Sequence, residues 1–79
     1  MAKIDVKKIT KLDKERNTIQ EEVTATYTVF EKCGEKFFQI DTYGRNDRIE
    51  TEKASQIIQF DKASAKALIR LLLDEFNIV

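Results

Sequence analysis

SQIIQFDKASAKALIRLLLDEFNIV, residues 55–79, holds a strand, a helix start and a long helix in immediate succession. In SQIIQF, Ile58 and Phe60 fall on one side of an extended chain and Ile57 on the other. Asp61 stands where a helix N-cap belongs. Its carboxylate can accept a free first-turn N–H, and its charge suits the positive end of the helix dipole. Residues 62–77 then read as about four helical turns. Ala65, Leu68, Ile69, Leu72 and Phe76 recur at helical spacing, Leu71 and Leu73 flank them, and Lys62, Lys66, Arg70 and Asp74 mark the solvent side. One helix on a small sheet needs a stripe about 100° wide, and here apolar residues cover more than half the circumference. Burying each extra leucine-sized side chain is worth about 1.5–3 kcal/mol, and a second copy related by a two-fold axis captures that gain twice. The surplus predicts a homodimer joined through Leu68, Leu71, Leu72, Leu73 and Phe76. A monomer whose sheet curls around the helix is the alternative.

Upstream, QEEVTATYTVF (residues 20–30) alternates cleanly, with Val23, Ala25, Tyr27 and Val29 on one face and Thr24, Thr26 and Thr28 on the other. That is the pattern of a half-solvated antiparallel strand. EKCGE (31–35) reads as a hairpin turn, with Gly34 able to take a positive φ. KFFQIDTY (36–43) is the return strand. Phe38, Ile40 and Thr42 face one way, and Phe37, Gln39, Asp41 and Tyr43 the other. Gly44 ends it, and residues 45–54 form a polar loop. IDVKKITKL (4–12) alternates imperfectly and reads as a first strand with a bulge near Lys7–Lys8, a helix being the rival. The predicted fold is α+β: a four-stranded antiparallel meander followed by a C-terminal helix, β-β-β-β-α, in one domain spanning residues 1–79.

The chain has 79 residues, so it is marginally stable alone. It carries one cysteine, no histidine and no proline, so neither an internal disulfide nor Cys/His zinc spacing is available. The lone Cys33 fits a reducing compartment, no secretory pattern is visible at the start, and no apolar run is long enough for a membrane span. A cytoplasmic location is expected. Fourteen basic residues balance 14 acidic ones, which argues against a strongly electrostatic nucleic-acid binder. Without histidine, a paired-carboxylate spacing, a glycine-rich phosphate loop or a serine with a base, no enzyme activity and no cofactor are expected.

Three clusters remain. Phe37 and Tyr43 share a strand face with Gln39, and exposed sheet aromatics are platforms on which unpaired bases stack. The plainer reading packs Phe37 under a loop or at a dimer seam and leaves Tyr43 capping the sheet edge. Arg45 and Arg48 bracket a glycine-started turn and could meet phosphates, or could form a solvated hairpin with Asp47. Lys7 and Lys11 would share a face with Ile9 if residues 6–12 are extended, either as phosphate contacts or as edge charges that block aggregation.

The runs FFQIDTYGRNDR (37–48) and ASQIIQFDKASAKALIRLL (54–72) resemble the core of the positive-cofactor-four-like single-stranded DNA-binding proteins. In that family an IDIREY-like strand precedes a polar loop, a short strand and a C-terminal helix. QIDTY (39–43) looks like the first element and IIQFDKASAKALIRLL (57–72) like the last. Tyr43 stands near where members often carry tryptophan, and Ala54-Ser55 stand where they usually have a glycine. The resemblance implies a helix-joined homodimer whose sheets meet unpaired strands. It makes Phe37, Gln39, Tyr43, Arg45 and Arg48 contact candidates, with Lys7 and Lys11 added by electrostatics. The leading expectation is a binder of single-stranded nucleic acid, DNA before RNA, with low sequence specificity, serving transcription or replication. The other is a small protein-interaction module or inhibitor, for example from a phage or mobile element, which the charge balance and the surplus apolar helix would suit. A structural domain with no specific face is the third.

Overall fold

The computed structural model describes residues 1–44 and 54–78. The elements are β1 (Ala2–Lys3), a short 3-10 turn (Val6–Lys8), β2 (Ala25–Lys32), β3 (Glu35–Thr42), β4 (Gln56–Phe60) and α1 (Lys62–Phe76). The chain is α+β, as expected, with a four-stranded sheet and one C-terminal helix.

The sheet is mixed, not a purely antiparallel meander. Its order is β1-β4-β3-β2. β2–β3 and β3–β4 are antiparallel, but β1 lies at the far edge, parallel to β4, with Ala2 opposite Ile58 and Lys3 opposite Gln59. The Ile4 N–H donates to the Gln59 carbonyl at 2.9 Å and extends this pairing. Residues 4–12 are therefore not the first strand. The cause is Asp5, whose carboxylate accepts the Lys7 N–H at 2.9 Å while its carbonyl accepts that of Lys8 at 2.9 Å. A local side-chain bond of this kind draws the backbone out of the ladder and into a turn. Lys7, Ile9 and Lys11 consequently do not line a strand face.

The β2–β3 hairpin turns on two residues between Lys32 and Glu35, with Cys33 at φ 53° and Gly34 at φ 78°. Two positive φ values define a type I′ turn, whose twist matches the flanking strands. Gly34 adopts this freely, whereas Cys33 carries a Cβ there, at a cost of about 1–2 kcal/mol. Cys33→Asn should therefore stabilise the chain by about 1 kcal/mol and raise Tm by about 4–8 °C. Thermal melts under reducing conditions measure this, and an unchanged or lower Tm would count against it.

α1 begins as the sequence indicates. Asp61 accepts the Ser64 N–H at 2.8 Å, and the Asp61 N–H donates to the Ser64 hydroxyl at 3.0 Å, a reciprocal capping box. At the other end Asn77 takes the left-handed conformation (φ 53°), and the Ile78 N–H reaches the Leu73 carbonyl at 3.1 Å. Such closures satisfy the last helical carbonyls.

Alternation gives the sheet two distinct faces. Tyr27, Val29, Phe38, Ile40, Ile58 and Phe60 lie on one, the side on which α1 sits. α1 packs chiefly against β4 and the 3-10 turn. Between it and the sheet runs an apolar groove of about 230 Å³, lined by Phe38, Ile40, Phe60, Ala65, Leu68 and Ile69. Beyond this groove the apolar face is open: Tyr27 is 69% exposed, Ile69 58% and Phe76 70%. Among the described residues, Tyr43 is the single buried hydrophobic side chain.

Candidate nucleic-acid interface

The second sheet face carries Thr26, Thr28 and Phe30 from β2, Phe37, Gln39 and Asp41 from β3, Ile57 and Gln59 from β4, and Lys3 from β1, as the register dictates. Its aromatic end is a pair. Phe30 and Phe37 lie opposite each other across the hairpin and stack, with centroids 5.4 Å apart and planes 28° from parallel. Cross-strand aromatics gain from offset stacking beyond the area they bury. Lys3 Nζ lies 5.7 Å from the Phe37 ring centre and 3.7 Å from Asp61 Oδ2. The ammonium is drawn to the negative ring face and anchored by the helix cap. Bonds from Ser64, through its backbone N–H first and its side chain second, hold the Asp61 carboxyl below the ordinary aspartate value against a small opposing effect of desolvation, and Lys3 adds to them. The parallel strand thus delivers a cation to the aromatic end of the face.

The middle of the face is a side-chain ladder across two strands. Gln59 Nε2 donates to Gln39 Oε1 at 2.7 Å, and Gln39 Nε2 donates to Asp41 Oδ1 at 2.8 Å. All three residues are half-buried. Beside them lies a hollow of about 310 Å³ lined by Met1, Ala2, Lys3, Gln39, Ile57 and Gln59.

The residues singled out from sequence fare differently. Phe37 and Gln39 lie on this face, side by side. Tyr43 follows β3 on the same side but is 4% exposed, with its hydroxyl 2.9 Å from Thr26 Oγ1 and its N–H donating to the Thr24 carbonyl at 3.0 Å. It closes the sheet end rather than offering a free ring. Lys7 is exposed in the 3-10 turn, and Lys11 bonds Glu75 at 3.1 Å, tying the N-terminal segment to α1. Arg45 and Arg48 lie outside the described residues. Of the helix set, Leu68 lines the apolar groove and is half-buried, while Leu71, Leu72 and Leu73 are each a little over two-fifths exposed and Phe76 more so.

Sequence reasoning missed Phe30, Gln59 and Lys3. Phe30 continues the Thr24-Thr26-Thr28 alternation, and Gln59 sits between Ile58 and Phe60, so period-2 counting could have found both. Lys3 depends on the long-range β1–β4 pairing, which leaves no local signal.

Among the described residues no cluster of acidic or cysteine side chains is placed to hold a metal ion, and no helix is long and apolar enough to cross a membrane. No protein-family model, curated protein or solved structure matches the chain.

Proposed function

We propose that this chain is one half of a homodimer that holds single-stranded nucleic acid, DNA before RNA, on its polar-aromatic sheet face without chemistry on the strand. The observation that carries the reading is the division of labour between the two faces. One face and α1 are apolar and largely open. The opposite face is half-covered and carries a stacked phenylalanine pair beside a lysine, with amide groups across its centre.

The dimer follows from what a lone chain lacks. Ordering each residue costs about 1–2 kcal/mol in conformational entropy, and the single chain gathers little apolar burial in return. Both halves of an interface stand on the same molecule: the helix stripe Ile69, Leu72 and Phe76, and the sheet residues Tyr27, Val29 and Phe38. A two-fold axis lets each helix of a pair cover the other copy's sheet. Strand binding then uses Phe37 for base stacking, Gln39 for hydrogen bonding and lysines near the aromatic end for phosphates. Stacking accepts any base, so that part of the affinity depends little on base identity.

Fluorescence anisotropy with labelled single-stranded oligonucleotides tests this. Micromolar binding is expected at low salt, weakening as salt rises with a log–log slope of about −0.7 per phosphate contacted. Absence of binding at tens of micromolar protein, together with capture of a stoichiometric protein partner, would favour an interaction module instead.

A further inference from the structure

We propose that the Gln59–Gln39–Asp41 ladder gives the strand-binding face a preference for guanine, an inference that rests on the binding role above. The direction of the ladder is dictated by its end. An ionised carboxylate only accepts hydrogen bonds, so Gln39 must turn its amide nitrogen to Asp41, which it meets at 2.8 Å. That turns the Gln39 oxygen toward Gln59, which must donate in turn, and does so at 2.7 Å. The result is a fixed array with a negative acceptor at one end, half-buried in the sheet.

Such an array is badly suited to phosphate. A carboxylate in the middle of the face repels the strand's backbone, which is therefore kept to the margin where Lys3 lies beside Phe37. Bases are left to cross the ladder. Asp41 stands two positions from Gln39 and four from Phe37 on one strand, so it shares their face at successive pleats. A base stacked toward the aromatic end brings its neighbour over Gln39 and Asp41.

The bases differ in what they show a carboxylate. Guanine presents two adjacent donors on its Watson–Crick edge, N1–H and the N2 amino group, matching the two oxygens of Asp41. Adenine and cytosine each set one amino group beside a ring-nitrogen acceptor. Thymine flanks its single N3–H with two carbonyls, which the carboxylate repels. Hydrogen bonding to unpaired Watson–Crick edges is how single strands are told apart, and a well-made bidentate contact discriminates by a factor that at a half-exposed site falls at about 5- to 10-fold.

The test uses full-length protein and thymine 12-mers carrying isolated guanines, adenines, cytosines or inosines, so that guanine-rich self-association is avoided. The guanine strand should bind about 5- to 10-fold tighter than the adenine and cytosine strands. Inosine, which lacks the N2 amino group, should lose most of that advantage. Asp41→Asn should level the four strands. Equal affinity for guanine and inosine, or a guanine preference that survives Asp41→Asn, overturns the inference while leaving strand binding intact. Failure of every strand to bind removes the parent reading and this one with it. The inosine comparison needs no variant, so a poorly folded Asp41→Asn would not rescue the idea.

Discussion

Leu72→Glu will convert the proposed dimer into an unfolded single chain. Within one copy Leu72 is 43% exposed, and a substitution at such a surface position ordinarily changes stability by about 0.5 kcal/mol or less. In the proposed dimer the same side chain lies in the apolar contact. There the variant removes about 1.5–3 kcal/mol of burial per copy and places two unpaired carboxylates in a low-dielectric seam. Little apolar burial remains inside either copy to hold the released chain together. Light scattering should show the parent at twice the 9.2 kDa chain mass and the variant at one chain, with the helical and sheet circular dichroism lost at micromolar concentration. A parent that runs as a folded single chain, and a variant that melts with it, would refute the dimer.

Phe37→Ala will weaken the proposed single-strand binding by about 10- to 100-fold, the range expected for removing one base-stacking ring. The ring stacks on Phe30 and lies under the Lys3 ammonium, and in the proposed complex a base meets the part of its surface that these two leave open. Its loss removes the platform and one of the two contacts that hold Lys3 at the proposed phosphate margin, leaving only Asp61, so the affinity should fall and the salt slope with it. Stability should drop too, because the cross-strand pair is worth about 0.5–1.5 kcal/mol beyond its area. Anisotropy titrations run well below the variant's own melting temperature separate the two effects. Retained affinity in a folded Phe37→Ala protein would remove the stacking role.

Much of the fold was legible because its signals are local. Val23 through Val29 alternate with threonines, Gly34 marks the hairpin, and Asp61 marks the start of α1 within a few residues of the helix it caps. β1 was not legible. Two residues leave no periodicity, and their partners Ile58 and Gln59 lie most of the chain away. Residues 4–12 looked like a strand because Ile4 and Val6 are spaced as in one. Asp5 between them takes the following N–H groups and makes a turn instead. The candidate site divides along the same line. Phe37 and Gln39 could be read from β3 alone. Tyr43 shares their parity, but it sits just past the strand's end, where Thr24 and Thr26 close over it. Lys3 reaches Phe37 only through the parallel edge, so no count along the chain would have brought them together.

The parallel edge also constrains the order of events during synthesis. Residues 2 and 3 leave the ribosome well before their pairing partners Ile58 and Gln59. The β1 segment must wait for β4 while the β2–β3 hairpin, a neighbour-to-neighbour structure, forms ahead of it. Its capture follows the synthesis of β4 and so falls close to the emergence of α1, the helix next in the chain.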